Sequence, residues 1–299
     1  MATPRISVCI VCRNEADKLD ACLRSVQWAD EVVVMDLSSS DDSAGVARRS
    51  GARVVVHEPV PIVELVRNEV ATAATNDWVL AMDPDERAAP GLEGELRAIA
   101  ARDDVDAAAI PVMNSDFGHF ATSPIHRYDP KPRFYRRDRV SWPTEPNELP
   151  TISDGALVEL PRRDDVVLIH ERNRTIPEAL ERAIRYAPAE AEALLDGGET
   201  FTAKKMLLRL ARKAQKQYVE ARAFDDGVPG VVRATVLVTF HFYVWACFWQ
   251  LSGGKRTPED DRVVRNVGRL VEGAWNAARV GRAPLHAVRR AKRALGRRG

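Results

Sequence analysis

The sequence predicts an α/β protein: a mostly parallel sheet with helices on both faces, followed by a helical C-terminal region. Two observations lead there. Within residues 6–82, four short β-rich runs alternate with stretches of helical periodicity, the pattern of a doubly wound parallel sheet. Beyond residue 175 the strand signals stop and helical spacing takes over. A third observation bears on function. Three of the four runs empty into polar or acidic residues, and open parallel sheets bind ligands at the carboxyl ends of their strands.

In chain order, Ile6–Cys12 reads as the first strand. Arg13, Asn14 and Glu15 follow it, then a helix with Leu19, Cys22, Leu23 and Val26 on one face. Glu31–Met35 is a second strand, closed by Asp36 and the polar run 37–42. Ser43–Ser50 is helical and stopped by Gly51. Arg53–Val56 is a third strand, and Ile62–Ala74 a helix carrying Arg67 and Asn68. Trp78–Met82 is a fourth strand, too short for a helix, and it ends in Asp83, Asp85 and Glu86 with Pro84 breaking any continuation.

Two aspartates one residue apart offer hard oxygen ligands to Mg²⁺ or Mn²⁺, which can in turn hold a diphosphate. Taken alone, such a pair is more often an acidic turn. The metal reading gains from convergence, because Asn14 with Glu15, Asp36, and Asp83 with Asp85 stand at the ends of three strands. The glycine-rich dinucleotide fingerprint does not follow the first strand, so the layout lacks the NAD or P-loop device.

Further on, 106–112 reads as another strand and 114–132 as an irregular, substrate-shaping loop. An arginine-aromatic run, 133–137, leads to Trp142–Leu149. The apolar run 166–169 ends in His170.

A chain of 299 residues with 45% hydrophobic and 29% charged residues suits one large domain with an appendage, or two. The division expected is 1–174 for the sheet-bearing domain with the strand-end site and 175–299 for a helical, basic region that serves a membrane surface or oligomerisation. The net charge of +1 hides an asymmetry: residues 203–299 hold 21 Lys/Arg against 7 Asp/Glu, while 1–202 hold 23 against 36. A basic rear half calls for an anionic partner. Cys9 and Cys12 sit three apart on a strand, so they point to opposite faces and make neither a redox pair nor a zinc site. Free thiols and the absence of a signal peptide at the start point to the cytoplasm.

In the rear half, Thr175–Leu195 and Phe201–Phe224 read as helices, the second strongly basic and broken by 225–230. Val231–Leu251 is the most hydrophobic stretch. Arg233 and the dense aromatics favour an interfacial or oligomer-buried helix, with a true span and a plain core helix as alternatives. From Arg279 to Arg298 the tail carries arginines and one lysine without an acid. A membrane surface is the expected partner, not nucleic acid.

With these motifs in place, residues 5–90 resemble a family 2 glycosyltransferase of GT-A fold. The resemblance rests on Asn14-Glu15, on 29–36 with Ser40-Asp41-Asp42, on Arg67-Asn68, and on Asp77–Leu80 leading to Asp83-Pro84-Asp85-Glu86. Within that family the pattern is most similar to bacterial lipopolysaccharide-core β-glucosyltransferase-like proteins. Cys12-Arg13 departs from the usual small residue or Thr before the Asn, and Ser39 from the usual Gly.

The resemblance implies a donor-binding set of Asn14, Glu15, Asp36, Arg67, Asn68 and Asp83. Glu15 and Asp36 would lie at a uridine-type base and its ribose, Arg67 near the diphosphate, and Asn68 bracing the same loop. Asp83 would meet the ribose or the metal shell, and Asp85 would ligate the cation. His170 would line the diphosphate and touch the metal, or else cap the following segment. Asn147-Glu148 stands where related proteins carry His-Glu, which makes Glu148 the expected catalytic base and Glu145 the reserve.

The activity so implied is inverting and metal-dependent. It would move a sugar from a nucleoside-diphosphate sugar, a UDP-sugar first, to a lipid-linked or cell-surface-glycan acceptor at the cytoplasmic face of the membrane, with the protein peripheral there and a homo-oligomer an open option. The alternatives are the same donor chemistry on a peptide or small-molecule acceptor, or a non-catalytic membrane-bound scaffold.

Overall fold

The computed structural model describes residues 4–123, 127–144, 149–152 and 155–295, with side chains through residue 277. The first half runs β1 (Ile6–Cys12), α1 (Ala16–Ser25), β2 (Glu31–Asp36), α2 (Ser43–Arg49), β3 (Arg53–Val56), a 3₁₀ turn over 63–66, α3 (Arg67–Ala73), β4 (Trp78–Met82), β5 (Glu86–Ala88) and α4 (Leu92–Ala100). It continues with β6 (Ala107–Asp116), β7 (His119–Phe120), β8 (Asp129–Arg136), β9 (Val140–Ser141), β10 (Thr151–Ile152), β11 (Leu157–Glu159) and β12 (Leu168–Asn173). The helices α5 (Ile176–Asp196), α6 (Ala203–Ala214), α7 (Gly227–Leu251) and α8 (Pro258–Leu295) complete it.

All seven residues of β1 are buried, as a strand covered on both faces requires. β1 pairs in parallel with β2 and β4, and β3 lies outside β2. Ile6, Val8 and Ile10 pack with Leu19, Cys22 and Leu23 of α1 and with Leu92 and Leu96 of α4. Cys9 and Val11 face the other way, onto Val66, Val70 and Ala74 around α3. Cys9 and Cys12 fall in different clusters and all four cysteines are free, as the alternation of side chains along a strand requires.

The main path of the sheet runs β3-β2-β1-β4-β8-β6-β12-β5. β8 enters antiparallel between β4 and β6, and Trp78 stacks on Phe134 at 4.6 Å across that junction. The region expected to be irregular is more ordered than its composition suggests, since β6 continues to Asp116 and β8 begins at Asp129.

In the rear half, Thr175 caps α5. Its hydroxyl accepts from the Glu178 amide, while Glu178 accepts from the Arg174 amide at 2.7 Å, a reciprocal arrangement at the helix start. The single helix expected over 201–224 is instead α6, a π segment over 215–220 and a 3₁₀ turn over 223–226. Arg222, at φ +51°, ends the helical run.

The expected break at 225–230 is correspondingly shorter. α7 starts at Gly227, and Pro229 falls in its first turn, where an N–H has no helical partner to lose. Gly230 is required there, because a Cβ would come within 2.1 Å of the Ala223 carbonyl oxygen. α7 packs on α5 through Trp245 and Phe248 against Ala191.

Candidate active site

The carboxyl ends of β1 and β4, together with β6, β8, β12, α5 and α7, enclose a cavity of about 400 Å³. That lies within the roughly 300–1,000 Å³ range of small-molecule sites. Glu15, Arg67, Asp83, Asp85 and His170 all line it. These five predicted residues, spread over 156 positions of the chain, meet in one place.

At its floor Asp83 sits between two buried guanidiniums, with Oδ1 2.7 Å from Arg67 and Oδ2 2.8 Å from Arg133. Burial alone would raise the Asp83 carboxyl, but Arg67 and Arg133 hold it well below the usual carboxylate range. Glu86 stands behind, its Oε2 accepting from the Asp83 amide at 2.9 Å and its Oε1 3.5 Å from Arg133. Burial raises the Glu86 carboxyl despite that arginine, and the charge on Asp83 adds to the rise.

Trp142 lies under both arginines, its ring 4.8 Å from Arg67 and 5.7 Å from Arg133. Its indole donates to Tyr135 Oη at 3.0 Å. Buried nitrogens of both guanidiniums, Arg67 Nε and Arg133 Nε and Nη1, have no hydrogen-bond partner among the described residues. Such donors are costly to leave unmet and are suited to ligand oxygens.

Beside this floor Asp85 faces His170, Oδ1 to Nε2 at 3.4 Å, and Arg182 of α5, Oδ2 to Nη2 at 3.0 Å. Burial opposes ionisation of Asp85; His170 and Arg182 overcome it and bring the carboxyl to about 2. His170 Nδ1 lies 2.9 Å from Asn114 Oδ1, a contact that orients the ring so that Nε2 faces Asp85. Glu15 pairs with Lys18 at 2.8 Å, and burial raises its carboxyl.

The remaining predicted residues are placed differently. Asn14, at φ +55°, accepts from the Ser40 amide at 2.7 Å, and its own amide donates to Ser39 Oγ at 2.9 Å. It stitches the first loop to the serine loop and does not reach the cavity wall. Asp36 is buried and turned back on its own loop, accepting from the Ser39 amide at 3.2 Å and from Cys12 Sγ at 3.8 Å.

Asn68 exchanges hydrogen bonds with the Trp142 backbone at 2.8 and 2.9 Å, so it holds the tryptophan beneath the arginines. Glu145 and Glu148 lie outside the described residues.

Sequence reasoning missed Arg133, Arg182, Asn114 and Trp142 as site residues. Arg133 stood in a quoted motif, but its partner Asp83 is 50 positions away. Arg182 sits on an amphipathic helix, where an arginine reads as solvent-facing, and its partner is 97 positions away.

Comparison with known proteins places this geometry in context. Residues 7–153 match the Glycosyl transferase family 2 profile. A TPR repeat-containing protein of Synechococcus elongatus is 35% identical over 98 residues, covering 32% of this chain and 24% of that one. An uncharacterized glycosyltransferase of Rickettsia conorii is 31% identical over 137 residues, 44% of this chain and 45% of that one. The chain thus spans less than half the length of either relative. Among solved structures, a mannosyltransferase of Pyrobaculum calidifontis in complex with GDP-Man and Mn²⁺ aligns at a TM-score of 0.45 and 14% identity, over 90% of this chain and 81% of that one. Residues 7–153, just under half of the chain, match that profile and carry the cavity's Glu15, Arg67, Asp83, Asp85 and Arg133.

Proposed function

We propose that the protein is an inverting, metal-dependent glycosyltransferase that uses a nucleoside-diphosphate sugar, a UDP-sugar first, on a lipid-linked or cell-surface-glycan acceptor at the cytoplasmic face of the membrane. The observation that carries the donor half is the Asp83–Asp85 turn at the end of β4, set among Arg67, Arg133 and His170 inside the family 2 region.

The residues fit a divalent cation. A carboxylate oxygen and an imidazole nitrogen 3.4 Å apart are spaced beyond an ordinary hydrogen bond and suit two ligands of one ion. Among the described residues no group of three or more His, Cys, Asp or Glu could hold a metal, so Asp85 and His170 would share the ion with diphosphate oxygens. Asp83, with both oxygens on arginines, fits the role of anchoring those arginines better than that of a ligand. Bound there, Mg²⁺ or Mn²⁺ supplies charge stabilisation for the departing nucleoside diphosphate.

The chain's own part in the reaction is electrostatic and positional. The guanidiniums of Arg67 and Arg133, which line the cavity, face the phosphate oxygens and stabilise the charge that grows there as the glycosidic bond breaks. Trp142 and Asn68 fix these arginines in place. Glu148, with Glu145 as reserve, takes the proton from the acceptor hydroxyl as it attacks the anomeric carbon.

A membrane-face location is supported by the basic rear half and by its exposed apolar side chains, among them Val228, Phe242, Trp249 and Leu251 on α7. One helical stretch among the described residues, Ala223–Leu251, is long and apolar enough to cross a membrane. Its Arg233 is buried and ion-paired with Asp226.

The test is a thermal-shift screen of nucleoside diphosphates with and without Mn²⁺, since a ligand that binds only the folded state raises the melting temperature. A shift with one nucleotide that needs Mn²⁺ is expected. No shift with any of them would overturn the reading.

A further inference from the structure

Seven arginines line the cavity, and four of them are ion-paired. Arg67 and Arg133 share Asp83, Arg182 holds Asp85, and Arg233 holds Asp226. Arg172, like Arg13 and Arg185, lines the same cavity with no side-chain hydrogen bond or ion pair to a described residue, and it is the one of these three on β12. Its placement has a local cause. The register between β12 and β6 slips between Glu171 and Asn173, and such a bulge takes a residue out of the ladder and re-aims its side chain. Burial opposes its charge, with Asp116 the main countering influence and Arg182 and Arg233 pushing the same way as burial.

The sheet order says which ligand meets this cation. Glu15, on the side where a nucleoside would enter, follows β1, and the Asp85–His170 pair lies further along. Arg172 is two residues beyond His170 on β12, which is separated from β1 by β4, β8 and β6. It therefore faces the part of the cavity left over once a nucleoside diphosphate occupies Asp85 and His170. That part has a second character. Arg233, Val236, Leu237 and Phe240 line the cavity at i, i+3, i+4 and i+7, one continuous face of α7. An unmatched guanidinium beside an apolar stripe suits a ligand with an anionic head and an apolar chain.

We propose that Arg172 is the anion receptor of an acceptor subsite, that the acceptor carries a phosphate group, and that the α7 stripe takes an apolar chain attached to it. This rests on the donor site assigned above and adds the chemistry of the second substrate.

The experiment is titration calorimetry of the full chain with dodecyl phosphate, glycerol 3-phosphate and the neutral detergent dodecyl maltoside, each with and without saturating UDP and Mn²⁺. Dodecyl phosphate is expected to bind the saturated protein, the maltoside not to bind, and glycerol 3-phosphate to bind at least about tenfold more weakly than the dodecyl ester. R172Q should weaken dodecyl phosphate by about ten- to a hundredfold while leaving UDP affinity within about twofold, and R172K should retain most of the affinity. F240A should weaken the dodecyl ester but not glycerol 3-phosphate.

Unchanged dodecyl phosphate binding in R172Q would overturn the proposal, as would an equal loss of UDP, which would return Arg172 to the donor site. Equal affinity for the two phosphates would assign a soluble phosphorylated acceptor and overturn the role given to α7. If UDP fails to bind the unsubstituted protein, the donor reading fails; the nucleotide-free titrations still decide Arg172, through loss or retention of phosphate binding in R172Q. Circular dichroism and melting of all three variants separate a lost contact from a lost fold.

Discussion

At the scale of single residues, the site depends on opposite charges held out of water, which makes each one costly to remove. Arg133 is buried and serves both Asp83 and Glu86, so R133M would leave the buried Glu86 and the half-buried Asp83 short of a partner. Breaking such a pair from one side costs about 3–5 kcal/mol, and we expect R133M to lose that much in urea denaturation. A loss below about 1 kcal/mol would show that the pair is relieved by solvent or by rearrangement. Catalysis separates from binding at Glu148. E148Q should bind donor normally yet turn over about 10²–10⁴-fold more slowly, read from steady-state transfer alongside nucleotide titration. Full turnover would remove Glu148 from the mechanism and bring forward Glu145.

Residue by residue, the sequence disclosed the acids at strand ends together with Arg67 and His170, but not the partners Arg133 and Arg182. Asp83 and Asp85 flank Pro84 at the end of an apolar run, a local signal. Arg133 and Arg182 are assigned only by contacts 50 and 97 positions away, which no local pattern encodes. Asn14 and Asp36 were legible as strand-end polar groups, but their hydrogen bonds turn inward to the serine loop.

At the scale of elements, the parallel core was legible because β1, β2 and β4 are apolar on both faces and of strand length. β8 was not. Its sequence Asp-Pro-Lys-Pro-Arg-Phe-Tyr-Arg carries two prolines and four charges, yet it lies inside the sheet between β4 and β6. Its pairing with β4 covers only 134–136, beyond both prolines, while Pro130 and Pro132 pair with β6 next to a register shift. The same limit applies to 201–224, where helical spacing is continuous but the left-handed turn at Arg222 depends on the start of α7 packed against it.

The edge where β1, β2 and β3 meet the loop before β4 is tied by Glu31. It accepts from Ser7 Oγ at 2.6 Å, from the Thr75 amide at 2.8 Å, and from Arg53 at 3.0 Å. Burial would raise this carboxyl, but those contacts outweigh it and bring it to about 2. A carboxyl depressed by folding stabilises above its unfolded pKa, and that stability is lost as pH falls through the folded value. E31Q should therefore be about 2–3 kcal/mol less stable than the unsubstituted protein at pH 7, with the gap closing between about pH 4.5 and pH 2. Denaturation at a series of pH values checks this; a gap independent of pH would mean that the contacts are not those of a carboxylate.

At the scale of the whole molecule, the acidic front and basic rear are not separate in function. α5 sends Arg182 to Asp85, and α7 walls the cavity with Arg233, Val236, Leu237 and Phe240. A division at 174/175 follows the change from strands to helices but cuts through the site. The rear half also carries the charge and the exposed apolar side chains that would meet a lipid surface. Flotation with vesicles containing anionic lipid should carry the protein upward, and high salt should weaken the association. Protein that stays at the bottom with anionic and zwitterionic vesicles alike would refute the membrane-face location and leave the donor site untouched.

The central claim is that Asp85 and His170 hold the cation that anchors the donor diphosphate. Calorimetric titration of UDP into the unsubstituted protein and into D85A, with and without Mn²⁺, tests it most directly. Binding that requires Mn²⁺ and falls at least about 100-fold in D85A is predicted. UDP binding that ignores Mn²⁺ and survives D85A would contradict the claim and leave Arg67 and Arg133 as the whole of the diphosphate site.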